Sequence, residues 1–102
     1  MQSTTATSAP AQAVRIFSPV DQLPGELATM DCDTVWAHIR AARRLIQHHQ
    51  DVADNGDESA SRYYFFIPEV AEDMANARYT LNVCFAELKR RETAASVQTL
   101  HA

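Results

Sequence analysis

Two adjacent histidines, two distant cysteines, several acidic clusters, a knot of arginines and a run of four aromatics are the residues of this chain that could do chemistry. His48 and His49 are neighbours in a helical stretch, so their rings point about 100° apart. Neither has a His, Asp or Glu four residues further on. A metal needs such groups converging on one point, so no metal site is legible, and His49 reads as a seam residue whose polar edge reaches solvent. Cys32 and Cys84 lie more than fifty residues apart. Both fall on apolar seams, where a thiol behaves as a small hydrophobe. No Ser or Cys stands beside a His and an orienting acid, as nucleophilic catalysis requires. The carboxylates Asp54, Asp57 and Glu58 read as a solvated loop. Glu69, Glu72 and Asp73 read as the start of a helix, where negative charge complements the dipole. The expectation is a protein with no catalytic residues, no metal and no cofactor, and therefore not an enzyme.

Binding chemistry is better represented. Arg40, Arg43, Arg44 and His48 share the outer side of a helix. Such a face can be solvated, can meet an acidic protein surface, or can meet DNA phosphates. The chain carries 13 acidic against 9 basic residues, a net charge of −4. That balance argues against nucleic acid, because phosphate neutralisation supplies most of the affinity. With only two glycines there is no Gly-rich phosphate loop. Tyr63, Tyr64, Phe65 and Phe66 cannot all point to one side of a helix or a strand. They read either as a cap or homodimer core, or as a site for a foreign partner, since interface hot spots favour Tyr, Trp and Arg. The expected partner-binding set is Tyr63, Tyr64, Phe65 and Phe66, with Arg40 and Arg44 at the rim.

These groups must be positioned by two helices. Cys32, Val35, Ile39, Ala42, Ile46, His49 and Ala53 are spaced 3, 4, 3, 4, 3, 4. That is a heptad seam over residues 31–54, flanked by Trp36 and Leu45. Asp31 and Asp33 suit its start, and Asn55-Gly56 its end. Val70, Met74, Ala77, Leu81, Cys84 and Leu88 are spaced 4, 3, 4, 3, 4, a second seam over 68–91 flanked by Ala71 and Phe85. Pro68 suits its first position, and Lys89, Arg90 and Arg91 its last turn. The expected core or dimer seam is Val35, Trp36, Ile39, Ile46, Met74, Leu81, Phe85 and Leu88. Joined through a connection over 57–67 whose polar half reads as a loop, the helices make an antiparallel hairpin, with Cys32 and Cys84 expected as near neighbours.

Around this pair, residues 1–12 are small, polar and uncharged, and read as a disordered tail. Residues 13–30 carry scattered apolar side chains broken by Pro19, Pro24 and Gly25, and read as an extended arm. It lies over the chain's own helices, or crosses to a second subunit or a partner. Residues 93–102 read as a frayed tail. One helical domain over 13–92 is small for an independent core, which points to a dimeric all-α bundle. Without a leader pattern or an apolar stretch of bilayer length, the expected location is the cytoplasm, with both thiols reduced.

The segments MDCDTVWAHIRAARRL and YYFFIPEVAEDMANARYTLNVCF, after a Ser/Thr/Ala-rich start, resemble the small QslA-like quorum-sensing anti-activators of pseudomonads. The resemblance implies a helical dimer that binds the ligand-binding domain of a LuxR-type transcription regulator, LasR. It would block the regulator's dimerisation and DNA binding. No binding motif of that family can be matched here, so it assigns no residue a role. Inhibition of an unrelated protein, as by phage-type or stress-type inhibitors, and DNA-associated regulation through the Arg40–Arg44 face are the other readings.

Overall fold

A computed structural model describes residues 14–21 and 24–101. The expected tail over 1–12 lies outside the described residues. An extended segment runs into a 3-10 turn at Pro19–Asp21. Four helices follow: α1 (Pro24–Thr29), α2 (Cys32–Asn55), α3 (Glu58–Tyr64) and α4 (Pro68–His101). The described residues hold no strand, and the long helices α2 and α4 pack against each other as an antiparallel hairpin. The all-α class and the hairpin are as the seams dictate.

Helix α2 begins where its cap requires. Asp31 has extended backbone, and its side chain accepts a 2.8 Å hydrogen bond from the Thr34 N–H. This satisfies one of the orphan amides of the first turn, and hydrogen bonds from the Thr34 side chain and then its backbone hold the Asp31 carboxyl below its ordinary range. At the far end the Gly56 N–H bonds the Ala53 carbonyl at 3.4 Å. The connection then departs from expectation, because residues 58–64 form helix α3 rather than a loop. The Asp57 carbonyl accepts from the Ser61 N–H at 2.8 Å, and the Ser61 hydroxyl donates to the Ala53 carbonyl of α2. One serine thus sits in the new helix and gives a second hydrogen bond to a last-turn carbonyl of the old one. Ile67-Pro68 ends the excursion, since the residue before proline is pushed out of helical backbone, and Pro68 opens α4 without a donor to lose.

Helix α4 runs to His101, not to residue 91. No Gly or Pro follows Arg91, and Ala94 and Ala95 favour helix. The Lys89–Arg91 cluster therefore lies inside the helix and does not complement its C-terminal dipole.

Burial also differs from the expected seams. Val35, Ile39, Ala42, Met74, Ala77 and Cys84 are buried as expected. Ile46, Leu81 and Leu88 are only half-buried. Trp36 and Phe85 are exposed, at 39% and 38%. In α4 the buried positions beside the seam are instead the polar Thr80 and Glu87, each one residue before an expected leucine. The cause is a third layer. The arm and α1 lie against the hairpin, with Phe17 and Leu27 entering one core cluster with Val35, Ile39 and Cys84. That layer rotates the covered face of α4 toward Thr80 and Glu87 and leaves the Trp36 and Phe85 side open. The described arm thus follows the first of its expected courses, over the chain's own helices.

Candidate functional site

The aromatic block splits at the exit from α3. Tyr64 is half-buried and faces inward, with its hydroxyl 2.7 Å from Nδ1 of His49. Nε2 of the same ring lies 2.9 Å from Oδ2 of Asp73 on α4. His49 is 7% exposed, so one imidazole holds α2, α3 and α4 together. This corrects the reading of Tyr64 as a docking residue and of His49 as a seam side chain reaching solvent, while Asp73 keeps a half-exposed side chain in the second turn of α4. His49 and Asp73 are twenty-four residues apart, so no sequence spacing marks the pair.

Its neighbours point outward. Phe66 is 77% exposed and Tyr63 59%, with Phe65 and Ile67 also open. Tyr63 and Phe66 face each other with ring centres 6.4 Å apart. The Phe66 N–H bonds the Tyr63 carbonyl at 3.0 Å, and the Ile67 N–H bonds the Tyr64 carbonyl at 3.2 Å. The backbone that presents these side chains is therefore tied down, and ordering it on binding costs little.

Arg40 and Arg44 are exposed but do not rim this turn. Arg40 stands nine residues before His49 on α2, half a turn around the helix from the face that receives Tyr64. It shares its face instead with Trp36, whose ring meets that of Phe85 edge-on at 5.9 Å. The guanidinium of Arg43 lies over Phe85, 5.5 Å from the ring centre.

The far end of the hairpin carries an ionic knot that sequence reasoning missed. Glu87 is 7% exposed and accepts from Arg90 at 2.7 Å and from Arg91 at 2.6 Å. These two guanidinium groups pull its carboxyl down to a pKa of about 2. Arg91 also donates to the Leu27 and Met30 carbonyls, at 2.9 and 2.5 Å, and to Sγ of Cys32 at 3.3 Å. It ties down the chain at the end of α1, where the Leu27 carbonyl also accepts from the Met30 N–H at 3.1 Å. A groove of about 370 Å³ lined by Leu27, Val83 and Ala86 opens beside it.

The Arg91 guanidinium reaches Cys32, so Cys32 lies beyond Cys84 toward the Arg91 end of α4. Both thiols are free. Cys32 is exposed rather than on the buried seam, while Cys84 is buried, which raises its pKa to about 11. Among the described residues no cluster of three or more His, Cys, Asp or Glu is placed to hold a metal. Among the described residues no helix is long and apolar enough to cross a membrane. Comparison with protein-family models, with curated proteins and with solved structures finds no match.

Proposed function

We propose that this protein acts by binding another protein through the outward aromatic turn of Tyr63, Phe65, Phe66 and Ile67. The observation that carries the reading is the 77% exposure of Phe66 within a turn whose backbone and inner tyrosine are both held by hydrogen bonds. A large aromatic side chain left in water forgoes roughly 2 kcal/mol of burial, and a partner that covers it recovers that energy without reordering the turn.

The partner proposed is a LuxR-type transcription regulator such as LasR. The support for that choice is the sequence resemblance to QslA-like anti-activators. The physical logic is competition. An apolar surface normally buried between regulator subunits is exposed whenever they separate, and a protein that covers it traps the separated state by mass action. The same resemblance supports a homodimer in the cytoplasm.

The test mixes the purified protein with a purified LuxR-type regulator and follows regulator oligomeric state and operator binding together. Sedimentation equilibrium on the protein alone gives its own state. The expected result is a regulator that loses both its dimer and its operator affinity, and Phe66→Ala and Tyr63→Ala proteins that lose most of this effect. A regulator that stays dimeric and DNA-competent in the presence of excess protein overturns the proposed partner. Capture unchanged by both substitutions overturns the proposed surface.

A further inference from the structure

Four of the chain's eight arginines are neutralised by its own carboxylates. Arg15 pairs with Asp21 at 3.4 Å, Arg62 with Glu58 at 3.7 Å, and Arg90 and Arg91 share Glu87. The other four are Arg40, Arg43, Arg44 and Arg78. All are exposed, and none has a carboxylate partner among the described residues. They are also gathered in one place. On α2, Arg40 and Arg43 stand four and seven residues after Trp36, within one helical face, with Arg44 at its edge. On α4, Arg78 stands seven residues before Phe85, again on one face. The contacts of His49 with Asp73 and of Trp36 with Phe85 set the antiparallel register. That register puts Arg43 and Arg44 level with Arg78. This is the open side of the hairpin: Trp36 is two residues from His38, and Phe85 five from Thr80, so both point well away from the side that the arm covers.

We infer that this face is a docking site for a short acidic amphipathic segment of a protein partner, with carboxylates on the four arginines and an apolar side chain between Trp36 and Phe85. Arg43 is already fixed by its contact with the Phe85 ring. A guanidinium held face-on against an aromatic keeps its edge donors free for a carboxylate. The patch is also bounded by like signs that limit what fits. Asp33 and Glu92 lie at one end of the same face, and Asp51 and Asp54 at the other. The stretch between Asp33 and Asp51 is about 27 Å, at 1.5 Å per residue. A nucleic-acid strand carries charge without interruption and would run onto both acidic ends, whereas three to four turns of an acidic helix fit between them. A second copy of this chain docked by the same face about a two-fold axis would set four arginines against four. The inference rests on the protein-binding reading for the class of partner only, and uses a surface separate from the aromatic turn.

Trp36 is the chain's single tryptophan, so its fluorescence reports on this face alone. The experiment titrates the full chain with a synthetic acidic amphipathic peptide about four helical turns long, built of Glu, Leu and Ala, free of Trp and Tyr. The expected result is a saturable change in Trp36 emission. Binding should weaken at least about tenfold in an R43E/R44E protein, be largely kept in R43K/R44K, and be lost when Gln replaces Glu in the peptide. Circular dichroism melts confirm that the variants stay folded. Unchanged peptide binding in R43E/R44E overturns the inference. So does tighter binding of an oligothymidine probe than of the peptide, or self-association of the chain that R43E/R44E removes. Phe66→Ala should leave peptide binding intact. Failure of the aromatic-turn reading is scored separately, by regulator capture that Phe66→Ala does not change.

Discussion

Phe17 and Thr80 are joined across sixty-three residues of chain: the Phe17 amide donates a 2.7 Å hydrogen bond to the buried Thr80 hydroxyl. That hydroxyl in turn lies 2.9 Å from the Asn76 carbonyl of its own helix. Two residues earlier, Nδ1 of His38 lies 3.2 Å from the Arg15 N–H and 3.1 Å from its carbonyl, accepting from the one or donating to the other according to its tautomer. An extended arm with no strand beside it thus finds its backbone partners in one side chain from each long helix.

Thr80→Val should therefore destabilise the protein by roughly 1–3 kcal/mol, because it keeps the shape and leaves a buried amide without an acceptor. Thr80→Ser should cost less, since it keeps the oxygen. Urea unfolding of the three proteins measures the difference, and equal midpoints for Val and wild type would show the bond contributes nothing.

His38 should make the arm sensitive to acid. The ring is 1% exposed, and its Nε2 has no hydrogen-bond partner. Burial lowers its pKa below the usual 6.5, and the Arg15 charge acts the same way, against opposing effects of the Arg15 backbone hydrogen bond and of Glu26. A histidine held neutral by the fold stabilises above its unfolded pKa, and that stability is lost as pH falls from about 6.5 toward the folded value. The protection factor of the Phe17 amide should fall below about pH 6.5 in the wild type, and this fall should vanish in His38→Gln.

Arg91→Ala removes donors from Glu87, from two backbone carbonyls and from Cys32. The expected loss is about 2–3 kcal/mol, with α1 released first. Glu87 has a depressed folded pKa of about 2, so its stabilisation is present above the ordinary 4.5 and fades as pH falls from there toward 2. Arg91→Ala should flatten the acid limb of a melting-temperature profile. A limb as steep as wild type would mean that other carboxylates control it.

Tyr64→Phe and Phe66→Ala should separate anchoring from docking. Tyr64→Phe loses the bond to His49 and should lower stability by roughly 1 kcal/mol with α3 loosened. Phe66→Ala, at a site already in water, should fall within about 0.5 kcal/mol of wild type. Thermal melts of both proteins check this, and a larger loss for Phe66→Ala would place its ring in the core.

The period of the apolar residues determined the helical class and the hairpin, and the Asp31 cap determined the start of α2, because those follow from local spacing and capping. Val35, Ile39, Met74 and Cys84 were legible as core for the same reason. Only the tertiary structure decided which residues beside each seam are covered. The arm is extended and aperiodic, yet it occupies the side that buries Thr80 and Glu87, and so leaves Trp36 and Phe85 to solvent where the heptads had Leu81 and Leu88 facing in. The His49–Tyr64–Asp73 cluster and the reach of Arg91 to Leu27 were invisible for a related reason, since they join residues from different elements, and partners brought together by packing leave no spacing in the chain. The Glu87–Arg91 pair itself has the legible i,i+4 spacing of one helix.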